Sequence, residues 1–310
     1  MGYILKYFTA AFRGTTKARS AWREALLNKP NIVTGIRELH EHCPPSAADD
    51  QEEPIFLLSA GWRSGSTLLQ RLIMSDSRVL IWGEPYDECG LIQTLAESMR
   101  AFRPGWPPQE YFYDGTPPGQ LSGEWIANLF PSLEDWRRGQ RALFDTMFAE
   151  PAKRVGVTRW GIKEVRLGAD HCAYLQWLYP KARFIFLYRN PLDAYRSYSR
   201  YGRNWYNTFP DKPIFTPTAF GKHWRKLADG FLRDAELLNA LVIRYEDLVG
   251  GHARIDEIEQ HLGISMDRSL LKTKVGSSER GGEQARVSSL EKWLLRRAVG
   301  PTAHELGYKW

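Results

Sequence analysis

Two stretches of this 310-residue chain combine residue types and spacing suited to gripping anions. The first is Ser59-Ala60-Gly61-Trp62-Arg63-Ser64-Gly65-Ser66-Thr67-Leu68-Leu69. An apolar strand there runs into a turn of small residues and then into an amphipathic helix that begins near Ser66. Such a junction gathers successive backbone N–H groups and a helix N-terminus around one anion. Gly65 lets the backbone approach, Ser66 and Thr67 add hydroxyl donors, and Arg63 supplies charge. A Gly-Ser turn joining strand to helix explains the glycines, but not an arginine clustered with three hydroxyls. The nucleotide P-loop pattern G-x-x-x-x-G-K-[ST] fails twice. Only three residues separate Gly61 from Gly65, and Ser66 stands where the lysine belongs. The loop therefore suits a single tetrahedral anion flanked by another, with its positive charge placed before the turn.

The second stretch is Arg189-Asn190-Pro191, followed by Ser197. Pro191 fits the first position of a helix, where its missing N–H costs nothing. Arg189 sits at the carboxyl end of the strand RFIFLY, and Ser197 lies two turns into the next helix. Carboxyl ends of parallel strands form the ligand crevice, so Arg189 and the glycine loop share one edge of the sheet.

Near the same edge a carboxylate must stand if a proton is to be taken. Glu84, in Trp82-Gly83-Glu84-Pro85, follows a strand directly, and the proline stiffens its turn. Glu84 also reads as a cap on the following helix. Lys163, in Trp160-Gly161-Ile162-Lys163, ends another strand, as a charge-stabilising group or as an ordinary lysine in solvent. The seven histidines offer no base after a strand. His40-Glu41-His42-Cys43 lacks the ligand count and spacing of a metal site, and no metal is predicted.

The elements that must position these residues are short apolar runs at 54–60, 79–83, 183–188 and 240–245, with a weaker one at 159–163. Helical stretches alternate with them. Buried strands separated by helices imply a parallel sheet covered on both faces. Residues 103–120 form a long loop dense in Pro, Gly and aromatics, a lid or an acceptor wall, or a surface loop held by its own rings.

With these elements in place, the chain resembles the PAPS-dependent sulfotransferase superfamily, particularly the carbohydrate sulfotransferases and their bacterial relatives. GWRSGSTLLQRL is similar to the 5′-phosphosulfate element, and Arg189-x-Pro191 with Ser197 to the 3′-phosphate element. Tyr245-Glu246-Asp247-Leu248 and Leu306-Gly307-Tyr308 resemble further landmarks. The resemblance implies an α/β, P-loop-like three-layer fold, a central parallel sheet with helices on both faces. It implies that Arg63, Ser64, Gly65, Ser66 and Thr67 cradle the phosphosulfate while Arg189 and Ser197 grip the 3′-phosphate. Lys274, Gly276 and Ser277 fall where the family closes a loop over that phosphate. Glu84 resembles the family's general base, and Lys163 the lysine that contacts the transferring sulfate. Two departures stand out: Trp62 replaces a common proline, and Glu164-Val165 follows Lys163 in place of Thr-Pro.

The expected function is thus transfer of a sulfuryl group from PAPS to a hydroxyl, on a carbohydrate or glycolipid, with Glu84 as base and Arg63 and Lys163 stabilising developing charge. The rivals are a P-loop-type small-molecule kinase and a non-catalytic nucleotide- or glycan-binding protein. Trp205 and Tyr206 would stack on adenine or pack in the core.

Composition excludes other classes. With 43% hydrophobic and 25% charged residues the chain is globular, not disordered or fibrous. Residues 1–29 hold six bases and one acid, leaving 36 bases against 35 acids elsewhere, so the net +6 is not the mark of a nucleic-acid binder. No apolar run spans a membrane, no secretory or myristoylation signal is read, and three cysteines suit a cytoplasmic setting. The expected organisation is a basic amphipathic helical arm over 1–43, a linker over 44–53 and one α/β domain over 54–310. The helix at 3–27 would lie on an anionic membrane surface, on the body or on a second copy as a homo-oligomer contact.

Overall fold

Short runs of β-branched and aromatic residues, each bounded by turn residues, become five strands in the computed structural model: β1 (Ile55–Ser59), β2 (Val79–Trp82), β3 (Arg159–Glu164), β4 (Arg183–Tyr188) and β5 (Ala240–Arg244). The structure describes residues 31–44, 52–86, 89–200, 214–251, 253–272 and 286–309. The expected helix at 3–27, most of the 44–53 linker, Trp205, Tyr206, Lys274, Gly276 and Ser277 lie outside the described residues.

All five strands are parallel, in the order β2-β3-β1-β4-β5. Helices connect and cover them: α1 (Ile32–His42), α2 (Ser66–Ile73), α3 (Leu91–Glu97), α4 (Leu133–Phe144), α5 (Glu150–Arg154), α6 (Ala169–Leu178), α7 (Pro191–Arg200), α8 (Pro217–Asp234), α9 (Tyr245–Gly250), α10 (Ala253–Leu262) and α11 (Ser289–Glu305). This is the three-layer α/β arrangement expected of alternating strands and helices.

The period-2 alternation of a strand sorts its side chains between two cores. On β1, Ile55 and Leu57 face one core with Leu69 and Leu72 of α2 and Ile255 and Ile258 of α10. Phe56 and Leu58 face the other, among α1, α4, α6, α8 and α11. Every residue of β1 is buried, as a central parallel strand requires. Gly161 is the point of closest packing on β3, where a Cβ would collide with the Ile55 carbonyl of β1. Helix α1, within the 1–43 segment, buries Ile32, Ile36 and Leu39 in the larger core, and Asn31 caps its Thr34 N–H at 2.8 Å. The 103–120 stretch contains two 3₁₀ turns, Gln109–Tyr111 and part of Pro118–Gly123. Among the described residues no helix is long and apolar enough to cross a membrane.

Candidate active site

Strand order decides what meets at the carboxyl edge. Because β1 neighbours β4, the glycine loop that leaves β1 lies against the turn that leaves β4. The loop reverses through left-handed backbone at Gly61 (φ 82°), Arg63 (φ 61°) and Gly65 (φ 92°). A side chain at Gly65 is doubly excluded, by this φ and by the Tyr245 ring, which a Cβ would strike. Gly65 is also the N-cap of α2, so the free N–H groups of the helix start beside it.

Arg63 turns toward the second element, its Nε donating to Ser197 Oγ on α7 at 2.9 Å. Arg189 Nη1 donates to the Arg63 carbonyl at 3.1 Å, and its guanidinium lies 4.5 Å from the Tyr245 ring centroid. Both expected anion elements are therefore one contiguous cluster, bridged by Arg63. Two donors there are buried without a hydrogen-bond partner among the described residues, Ser64 Oγ and Arg189 Nε. Buried donors are ordinarily paired, so their orphaned state suits a site that receives oxyanion acceptors. Ser66 is buried and Thr67 exposed at the start of α2.

Because β2 neighbours β3, with Trp82 paired to Ile162, the residues that follow each strand face one another. Lys163 Nζ donates to Glu84 Oε1 at 2.5 Å. Lys163 is nearly buried (8% exposed), whereas Glu84 keeps a quarter of its side chain open. Arg166 lies behind, 3.8 Å from Glu84 Oε2 and bonded to both oxygens of Glu164 at 2.9 Å. Burial pushes the Glu164 carboxyl up, opposed by the Arg166 bonds. The Glu164-Val165-Arg166 departure thus forms a buried ion pair next to Glu84. The sequence reading gave Arg166 no role, although its i, i+2 spacing from Glu164 at a strand end was the available signal.

Residues that the sequence marked only as landmarks or departures, together with Trp224 and His223, sit around Arg189 and the loop. Since β4 neighbours β5, Glu246 accepts from the Asn190 N–H at 2.9 Å through Oε1. Its Oε2 accepts from the Tyr308 hydroxyl at 2.9 Å, joining the two landmark motifs Tyr245–Leu248 and Leu306–Tyr308 at one carboxylate. Burial raises the Tyr308 phenol pKa, so the hydroxyl stays a donor. Asn190 Oδ1 also caps α7 through Leu192 N at 2.9 Å. Trp224 Nε1 holds the Arg189 carbonyl at 3.1 Å. Trp62, the second departure, is buried and stacks on His223 at 4.8 Å. Burial, with Lys226 and Arg166 nearby, lowers the His223 pKa to about 4, leaving the imidazole neutral.

A family model described as "Sulfotransferase family" matches residues 54–268, more than two thirds of the chain, and covers all five strands and the site residues except Tyr308. The chain belongs to the sulfotransferase family. This sulfotransferase is similar in structure to the sulfotransferase domain of the curacin biosynthetic pathway, at 16% identity over 84% of this chain and 99% of that one, TM-score 0.47. The corresponding domain of the Synechococcus PCC 7002 olefin synthase shares 17% identity over 84% of this chain and 98% of that one, TM-score 0.46. Mouse sulfotransferase SULT7A1, solved with PAP, shares 16% over 77% of this chain and 65% of that one, TM-score 0.36. No curated protein matches the chain. Family membership makes the sulfotransferase an enzyme of the PAPS-dependent superfamily, one that transfers a sulfuryl group to a hydroxyl-bearing acceptor, and takes that reading over the kinase and the non-catalytic binder.

Proposed function

We propose that this sulfotransferase takes its sulfuryl group from PAPS and passes it to a hydroxyl of a carbohydrate or glycolipid, with Glu84 as general base. The 2.5 Å contact between Glu84 and Lys163 carries the reading. It holds a carboxylate and an ammonium side by side at the edge where the anion loop opens, one group for the proton and one for developing negative charge.

The residues present suit the donor. Arg63, Ser64, Gly65, Ser66 and Thr67 would hold its phosphosulfate, using the orphaned Ser64 hydroxyl and the N-terminal N–H groups of α2. Arg189 and Ser197 would hold the 3′-phosphate, with the free Arg189 Nε as donor. Lys274, Gly276 and Ser277 would close over it. When bound, PAPS supplies an activated sulfuryl group on a phosphate leaving group. Glu84 takes the acceptor proton as the new O–S bond forms, and its open side gives that hydroxyl a way in. Lys163 and Arg63 stabilise the charge that returns to the phosphate oxygen as the old S–O bond breaks. Arg166, tied to Glu164, fixes the second oxygen of Glu84. The aromatic residues of 103–120 support a sugar acceptor, since rings offer faces for stacking beside polar groups. The three free thiols, Cys43, Cys89 and Cys172, support a reducing, cytoplasmic setting.

Calorimetry with adenosine 3′,5′-bisphosphate, ADP and ATP, followed by an acceptor screen with labelled PAPS, tests the proposal. Tight binding only with the 3′-phosphate, and label transferred to a saccharide, is the expected result. A preference for ATP overturns the donor, and transfer only to non-sugar hydroxyls overturns the acceptor.

A further inference from the structure

Away from the transfer edge, α8 and α11 pack side by side and run parallel. Gly221 of α8 meets Leu295 and Ala298 of α11, and Thr302 Oγ1 donates to Asp229 at 2.5 Å one to two turns further along. Between the helices lies a groove of about 700 Å³ whose lining includes Thr218, Lys222, Arg225, Lys226 and Asp229 on one wall and Trp293 and Arg297 on the other. The α8 residues 218, 222, 225 and 229 recur at helical spacing, so they form one stripe along the groove.

The charge in this groove is not balanced. Its one carboxylate among the described residues, Asp229, is already occupied by Arg225 at 3.2 Å and by Thr302. Lys222, Lys226 and Arg297 form no ion pair among the described residues. On the far wall the Arg297 guanidinium lies 5.6 Å from the Trp293 ring centroid, and that indole is 54% exposed. Cations on both walls of a concave slot, beside an exposed ring, match a ligand that alternates anionic groups with apolar ring faces. A bilayer surface would instead call for a protruding apolar tip. None of the groove residues belongs to the donor cluster or the Glu84–Lys163 pair.

We propose that the α8–α11 groove binds the anionic part of a glycan chain, its sulfate esters or carboxylates on Lys222, Lys226 and Arg297 and one sugar face on Trp293. The inference rests on the carbohydrate reading and deepens it: the acceptor is a polymer that already carries, or acquires, negative charge, and the groove retains one part of it while another part reaches the site that sulfates it.

The test uses the full chain with a sulfated malto-oligosaccharide, its unsulfated counterpart and phosphatidylglycerol vesicles as probes, each titrated by calorimetry at low and high salt. The sulfated sugar should bind, more weakly as salt rises, and the unsulfated sugar should not. Lys222→Glu with Arg297→Glu should weaken that binding by about tenfold or more, as expected for reversing two contacting charges, with affinity for adenosine 3′,5′-bisphosphate unchanged. Trp293→Ala should also weaken it. Lys222→Gln with Arg297→Gln gives the same readout should the charge reversal disturb folding, which a thermal melt reveals. Equal binding of the sulfated sugar by wild type and variants overturns the proposal, as does binding to the vesicles without binding to the sugar. Because the readout is binding, the carbohydrate reading fails separately, through an acceptor screen that labels no saccharide while the groove still takes the sulfated probe.

Discussion

Replacing Glu84 by glutamine changes one oxygen for an amide nitrogen and leaves the volume of the side chain intact. The amide oxygen still accepts from Lys163, whose Nζ stands 2.5 Å from Oε1 in the native pair. What is lost is the difference between a charged and a neutral hydrogen bond, about 1–2 kcal/mol. Arg166 keeps its paired bonds to Glu164, so no second buried charge is stranded. With an unfolding entropy near 2.1 cal/mol/K per residue, 310 residues convert that loss into a Tm shift of roughly 2–3 °C. The effect on turnover is far larger. An amide cannot take the acceptor proton, and general-base catalysis is worth about 10²–10⁴-fold. Steady-state transfer from labelled PAPS should show kcat reduced by that factor, while calorimetry shows adenosine 3′,5′-bisphosphate binding within about threefold of wild type, since uniform binding is untouched. Glu84→Asp keeps the charge one methylene short and should retain more activity than the glutamine variant. A glutamine variant with wild-type kcat would refute the assignment of the base. A loss of donor affinity equal to the loss of kcat would place Glu84 in donor binding instead.

Arg189→Ala removes the buried Nε and the stacking on Tyr245, and should narrow the preference for adenosine 3′,5′-bisphosphate over ADP by about 10–100-fold in calorimetry, the worth of one charge-assisted hydrogen bond. Gly65→Ala forces a Cβ into left-handed backbone and into the Tyr245 ring, and should cost about 2 kcal/mol or more in denaturant unfolding together with donor affinity. His223 has a pKa near 4 in the fold against 6.5 when unfolded, so the unfolded chain binds the extra proton between these values. Its contribution to stability is complete above about pH 6.5 and declines as pH falls toward 4, by about 3 kcal/mol in all. Unfolding curves across that window should lose this component in a His223→Gln variant.

The sequence alone was enough to place the strands within a residue or two. The apolar runs at 54–60, 79–83, 183–188 and 240–245, and the weaker one at 159–163, are β1 to β5. Local chemistry was legible for a local reason. Gly61 and Gly65 mark left-handed turns, Pro191 starts a helix, and the hydroxyls and arginine beside them advertise an anion loop wherever the chain goes next. A departure such as Glu164-Val165 was visible as a departure, with Arg166 two residues from Glu164, but its place was not: the pair stands beside Glu84 only because β3 lies next to β2.

What the sequence by itself determined is therefore the set of elements, the anion-binding types on them and the edge of the sheet they share. Each of these depends on contacts within about ten residues of chain. Only the tertiary structure decided the pairings. Glu84 and Lys163 lie 79 residues apart, Arg63 and Ser197 134 apart, and Asn190 and Glu246 56 apart. They meet because the strands run β2-β3-β1-β4-β5. Strand order is set by how whole helices and strands bury one another, a global free-energy balance that periodicity along the chain does not encode.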